Sequence, residues 1–307
     1  MPTPVATVAA RSTLPTIDEW LDIEPAPLGT YVVAKADAGL AGEIPVYDVP
    51  FGAPRSLVDD NWIDGVRSVP VRLVNPVDDD GVLVMRVVAG VPGDDWILVQ
   101  APTRPHNQHV WVRGGDFAFG FTTKRIEIDL AGEGELLVFD EDDVLLRSPI
   151  VQGRDSRPTP THVTYVQRGV PAKDVSPAYG EAILAMASFS EVLGTFGGGG
   201  LPSNFIHGTN APELMGHRVS SGEIRVPSEQ LLALIELVTP GTPVLMYDSS
   251  ASGRMTRSQI LNQPMSPAPT INFLDGAAGG QDAMTGIGPE LWRRCETGEQ
   301  LVCRNES

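Results

Sequence analysis

Two short stretches hold the residues that could do chemistry. "IHGTN" puts His207 at the end of an apolar run, with Gly208 and Thr209 after it. "VSSGEIRV" puts Ser220, Ser221, Gly222, Glu223, Ile224 and Arg225 in one loop. An imidazole beside a carboxylate can activate water or bind a metal. With His217 six residues before Glu223, a hydrolytic site of Glu223 with one or two histidines is one reading. The plainer reading has His217 as a solvated loop residue and His207 held by hydrogen bonds. A serine becomes a nucleophile only with a base and an orienting acid beside it, so Ser220 and Ser221 read first as turn formers. Thiol chemistry is excluded from the middle of the chain, because Cys295 and Cys303 both lie in the last thirteen residues. "CETGEQLVC" reads as a small disulfide loop in an oxidising compartment, and zinc would need ligands from elsewhere.

The elements around these stretches are mostly strands. Residues 1–28 read as a linker or arm, rich in Pro, Ala and Thr, with one short segment "TIDEWLD". Residues 29–120 are short β segments such as "TYVVAKA", "VLVMRVVAG" and "HVWVRG", separated by turns like "PVDDDG". That spacing predicts a small all-β barrel or sandwich, with Trp96 and Trp111 packed inside it. A second β-rich block covers 121–248. There "RIEIDL" alternates cleanly and "ELLVFDEDDVLLRSPIV" reads as two strands around a solvated acidic tip, with neither the glycine nor the closing glutamate of a calcium loop. "PSEQLLALIELV" (227–238) has the helical spacing of leucines, with Pro at its first turn and Ser and Glu near the start. "RPTPTH" reads as a rigid turn. "FGGGG" reads as a flexible one, since it lacks the Lys-Ser/Thr of a phosphate loop. The tail, 249–307, is rich in Gly, Ser and Pro, with a last candidate helix at "GPELWRRC".

Charge narrows the partners. The chain carries 39 acidic against 22 basic residues, a net charge of −17. Nucleic acid is not an expected partner, because backbone binding needs a basic surface. No apolar run is long enough to span a membrane as a helix. The first twenty residues lack a basic segment followed by an apolar one, so either the protein is cytosolic or the chain starts after a removed segment.

The run "FIHGTNAPELMGHRVSSGEIRVPSEQLLALIELVTPGTPVLMY" resembles the core of the YkuD-type L,D-transpeptidases. Their pattern is a strand ending in His-Gly-Thr, a loop, Ser-His-Gly-Cys-Ile-Arg, a short helix, then Gly-Thr-Pro-Val. Upstream, "KRIEIDLAGEGELLVFDEDDVLLRSPIVQGRDSRPTPTHVTYV" and "FSEVLGTFGGGG" are similar to the family's opening strands and the segment before its His strand, so the likeness covers about 122–247. The preceding β block is similar to SH3-like domains of wall enzymes, chiefly at "WILVQAPTRPHNQHVWVR". The resemblance implies a mainly β fold: a small SH3-like barrel followed by a β-sandwich with one or two short helices. It implies an exported protein of the cell envelope or extracellular space, acting on peptidoglycan stem peptides without metal or organic cofactor. Trp96 and Trp111 have a lesser reading there as a surface for wall glycan or peptide.

In the family a cysteine attacks the carbonyl between the third stem residue and a terminal D-alanine, and a second stem's amine resolves the thioester into a 3–3 cross-link. Carbapenems acylate the same cysteine. Carried over residue by residue, His207, Gly208 and Thr209 match the His-Gly-Thr strand, whose histidine lines the pocket in the family. Ser220, Gly222, Ile224 and Arg225 match the second motif. Gly208, Thr209, Ser220, Gly222 and Arg225 then belong to the substrate and oxyanion side. Ser221 falls where most members have the catalytic histidine, and Glu223 falls where the cysteine belongs. A glutamate, with an ordinary pKa of ~4.3, is ionised at neutral pH. It attacks amides poorly, because the anhydride it would form is high in energy, and its charge would repel a developing oxyanion. Three outcomes follow from the resemblance: a homologue without acyl transfer that binds stem peptide or a partner wall enzyme, a hydrolase using Glu223 and His207 on a related amide, or an envelope scaffold with an idle pocket.

Overall fold

The computed structural model describes residues 30–37, 39–59, 69–77, 81–90, 93–171, 179–180, 182–195, 201–250 and 253–263. "TIDEWLD", "FGGGG", "GPELWRRC" and both cysteines lie outside them. The fold is mainly β, as expected, with a curled sheet in its second half. Two sheets carry it.

The first has seven strands: β1 (Tyr31–Ala36), β2 (Val46–Tyr47), β3 (Pro54–Arg55), β4 (Val84–Ala89), β5 (Trp96–Gln100), β6 (His109–Arg113) and β7 (Phe117–Thr122), in the order β7-β1-β4-β5-β6-β2-β3. Its core is built from β-branched runs, including Val32, Ile97, Val99, Val110 and Val112, all fully buried. Such side chains suit a pleated, packed surface. Trp96 and Trp111 are buried together in a second cluster on this sheet.

The second sheet has eight strands: β8 (Lys124–Asp129), β9 (Glu135–Asp140), β10 (Asp143–Pro149), β11 (Val163–Pro171), β12 (Ala182–Phe189), β13 (Ser203–His207), β14 (Ile224–Arg225) and β15 (Pro243–Tyr247). Their order is β10-β9-β8-β15-β11-β12-β13-β14. Neighbours are antiparallel except β8/β15 and β13/β14. The acidic hairpin tip is exposed, with Glu141 in the left-handed region. At the edge, a bulge sets Val138 and Phe139 against Leu146 and Val144, which leaves Leu145 unpaired and twists an edge strand out of regular register. Helix α1 (Ser228–Leu237) lays Leu231, Leu234 and Ile235 on the sheet. Each fully buried leucine there contributes about 1.5–3 kcal/mol. Pro227 sits at its N-cap, and the Ser228 hydroxyl does not cap the helix but donates to the Thr209 carbonyl at 3.3 Å.

The alternation of "RIEIDL" would leave one face of β8 wet, yet both faces are covered. Ile126, Ile128 and Leu130 face the core, while Arg125 and Glu127 are buried on the other side. A short helix, α2 (Arg257–Leu261), folds back over that side, and Arg257 donates twice to the Glu127 carboxylate, at 2.7 and 2.9 Å. Burial pushes the Glu127 carboxyl up, but hydrogen bonds from Arg257 and Arg125 outweigh it and leave the group below its ordinary value.

The two sheets share a core. Tyr165 and Ala187 of the second pack into the apolar cluster of the first. Gln100 Nε2 donates to the Val163 carbonyl at 2.6 Å across the junction. Among the described residues no helix is long and apolar enough to cross a membrane.

Candidate functional site

The site is set by the pairing of β13 with β14. Ile206 lies opposite Ile224 and His207 opposite Arg225 in parallel register. The Val226 N–H donates to the His207 carbonyl, which fastens the end of the pair. Parallel neighbours need a long connection, and here it spans "GTNAPELMGHRVSSGE", so both motifs meet at one end of the sheet.

Inside the loop, Ser220 is fully buried. Its hydroxyl donates to the Glu223 carbonyl at 2.7 Å and accepts from the Gly222 N–H at 3.1 Å. Gly222 has φ of 117°, a conformation that side chains disfavour. A Cβ there would also stand 3.0 Å from the Asn204 amide oxygen. The "RPTPTH" turn locks the loop from outside. Thr159 Oγ1 donates to the Gly222 carbonyl and accepts from the Gly153 N–H, both at 3.0 Å. Gly153 must be glycine, because a Cβ would come within 2.4 Å of the Arg157 carbonyl.

Glu223 is held at both oxygens. Oε2 accepts from the Ser221 backbone N–H at 2.9 Å, and Oε1 accepts from Arg225 Nη2 at 2.9 Å. Its side chain keeps 14% exposure. The carboxylate therefore occupies a backbone donor and a guanidinium at once.

His207 lies beneath this arrangement and not on the cavity wall. It is 2% exposed, and neither ring nitrogen has a hydrogen-bond partner. Tyr179 packs edge-on against it at 4.7 Å, and Phe205 lies at 5.4 Å. Burial lowers the imidazole pKa to about 4, with the Glu223 carboxylate opposing as a smaller effect. It is neutral at physiological pH, and no hydrogen bond joins it to Glu223. Gly208 and Thr209 are buried in the turn that follows. The Gly208 N–H donates to the Tyr179 carbonyl, and Thr209 Oγ1 accepts from the Ala211 N–H. His217 is exposed, and its Nδ1 lies 3.1 Å from the Met215 carbonyl. The structure therefore brings Ser220, Ser221, Gly222, Glu223 and Arg225 together, places His207 under them, and leaves His217 in solvent. Among the described residues no group of His, Cys, Asp and Glu could hold a metal ion.

A cavity of about 360 Å³ opens over the loop, lined by Glu223, Ser221, Arg157, Asn204, Tyr179 and Phe205 on one side. Its other side is the segment after β12, with Ser190, Leu193 and Thr195. The first sheet holds that segment in place. Arg104, only 1% exposed, sends Nε and Nη2 to the two carboxylate oxygens of Asp59 at 3.1 and 2.8 Å. Its remaining N–H groups donate to the carbonyls of Ser190, Leu193 and Gly194. His106 joins this grip. Its Nε2 accepts from the Phe189 N–H at 3.1 Å, which leaves the proton on Nδ1 to donate to Glu191 at 3.0 Å. Arg157, Tyr179 and Arg104 carry no motif that sequence reasoning could use. Arg157 was legible only as part of a rigid turn.

Residues 123–246 match the family model of the L,D-transpeptidase catalytic domain, YkuD. No curated protein matches the chain. Among solved structures, the catalytic domain of an Enterococcus faecium L,D-transpeptidase is 25% identical over 40% of this chain and 96% of that one, with a TM-score of 0.30. A cysteine-to-serine mutant of the E. faecium L,D-transpeptidase is 22% identical over 40% of this chain and 49% of that one, with a TM-score of 0.30. An L,D-transpeptidase from Mycobacterium smegmatis is 14% identical over 70% of this chain and 98% of that one, with a TM-score of 0.32. The chain spans about half the length of the first structures it matches. The stretch that builds the Glu223 loop and its cavity, residues 123–246, is thus the part of this chain that is similar to the YkuD L,D-transpeptidase catalytic domain.

Proposed function

We propose that this chain is an envelope protein that binds peptidoglycan stem peptides in the cavity over the Glu223 loop and does not form an acyl-enzyme. Glu223 stands where the family's cysteine belongs and Ser221 where most members have a histidine. One observation carries the reading: the Glu223 carboxylate already accepts from the Ser221 N–H and from Arg225. A tetrahedral intermediate would need backbone donors of this kind for its oxyanion, and a resident negative charge both fills one and repels the incoming one. Loss of one member of a catalytic unit commonly costs about 10⁴-fold or more.

Hydrolysis by Glu223 with His207 has less support, since the imidazole is buried and shares no hydrogen bond with the carboxylate. The family match supports the ligand class and a cell-wall setting, and the same resemblance supports export, an SH3-like first unit and a partner wall enzyme. Incubation of the purified protein with tetrapeptide muropeptides, read by mass spectrometry, tests the reading. The expected result is neither 3–3 dimers nor released D-alanine. Dimers would refute it, and D-alanine release without dimers, lost in Glu223→Gln, would favour the hydrolase.

A further inference from the structure

Among the described residues the cavity holds one cation in its lining, Arg157. Its guanidinium makes one hydrogen bond to a described residue, from Nη1 to Ser221 Oγ at 3.2 Å. A guanidinium has five N–H donors, so among the described residues most of the fork is uncommitted. No carboxylate of the described residues lies within ion-pairing distance of it, and Glu223, the acidic group on the same wall, is already paired with Arg225. Arg225 thus offsets the Glu223 charge, and among the described residues the charge of Arg157 is left without a counter-ion. In a chain of net charge −17, a cation without a local partner at a cavity wall marks where a negative group is received. The backbone beneath it is fixed by the Arg157 N–H to Arg154 carbonyl bond at 2.8 Å and by the Gly153–Thr159–Gly222 chain of hydrogen bonds. The arginine is therefore held on a rigid turn, as recognition groups are when they need little reorganisation.

We propose that Arg157 is the recognition residue for a ligand carboxylate in this cavity, and that the carboxylate is the free C-terminus of a short peptide. The planar fork of arginine matches a carboxylate in bidentate fashion. A dianion such as phosphate would meet the partly exposed Glu223 carboxylate two residues beyond Ser221, whereas a monoanion is less repelled. The volume of about 360 Å³ is at the small end of ligand pockets and suits a residue or two. Tyr179 and Phe205 supply an apolar wall, and Ser203, Asn204 and Thr195 supply polar groups for peptide bonds. The inference rests on the peptide-binding reading of this cavity.

Isothermal titration of the full chain with N-acetyl-alanyl-alanine of either handedness and with its C-terminal amide tests it, with acetate and inorganic phosphate as further probes. The expected result is binding of the free acid at least about ten-fold tighter than the amide. Arg157→Gln should abolish the preference, and Arg157→Lys should keep part of it, with unchanged melting temperature as the folding control. Equal affinity for acid and amide, binding of neither, or an unchanged preference in Arg157→Gln would overturn it. Acetate or phosphate binding as tightly as the dipeptide acid would overturn the peptide terminus. A tetrapeptide muropeptide that binds wild type and Arg157→Gln alike would remove this inference and leave the binding reading standing. One that binds neither would remove both.

Discussion

Two arginine–carboxylate pairs flank the same cavity, one gripping the rim segment after β12 and one within the Glu223 loop, and they differ in how far their hydrogen bonds are used up. Arg104 and Asp59 are 1% and 2% exposed. All five donors of Arg104 are spent, two on Asp59 and three on backbone carbonyls. Arg225 and Glu223 keep 26% and 14% exposure, and Arg225 Nε has no partner. Both pairs join a cation to an anion at about the same distance, 2.8 and 2.9 Å. The first has no valence left for a ligand and acts as a clamp between the first sheet and the cavity rim. The second is partly exposed and less fully used, and its Glu223 lines the cavity. Saturation and not distance separates the structural pair from the one available to a ligand.

Breaking the saturated pair should have the largest effect. Arg104→Ala leaves Asp59 charged and buried and strips three carbonyls of their donor, so a loss of about 3–5 kcal/mol is expected by urea denaturation. A loss under about 1 kcal/mol would mean that the clamp is dispensable and the contrast false. The next effect is one of pH. The folded pKa of His207, about 4, lies below its unfolded value near 6.5. Its contribution is therefore fully present above pH ~6.5 and is lost as pH falls toward ~4. Between pH 7 and 5 this amounts to about 2 kcal/mol, and His207→Gln should show that much less acid sensitivity. Buried His162 and half-buried His109 are lowered in the same direction and remain in the variant as an internal reference. The smallest effect belongs to the open pair. Glu223→Gln keeps the acceptor for the Ser221 N–H and loses an ion pair that water can partly replace, so about 1 kcal/mol or less is expected in thermal melts. A loss as large as that of Arg104→Ala would erase the distinction.

What the sequence made legible follows the range of the contacts involved. The β character, the helix at Ser228–Leu237 and the motif loop around Glu223 all rest on patterns a few residues long. The alternation of β8 was legible, but its polar face is covered by Arg257, 130 residues away. Arg104 reaches carbonyls 86 to 90 residues distant, and no local period marks such a contact. His207 was legible as a residue of the site. That it lies beneath the cavity wall, under Tyr179 and Phe205, depends on packing across three segments. Arg157 was hidden because a turn sequence specifies backbone conformation and does not specify which side chain stands at a cavity wall without an ion pair among the described residues.

The central claim is that the Glu223 carboxylate has replaced acyl transfer while the cavity still receives peptide. Intact-protein mass spectrometry after incubation with a carbapenem and, separately, with tetrapeptide tests it most directly. The account predicts no covalent mass gain on the wild-type chain with either compound. A stable adduct that maps to Glu223, Ser220 or Ser221 would contradict it.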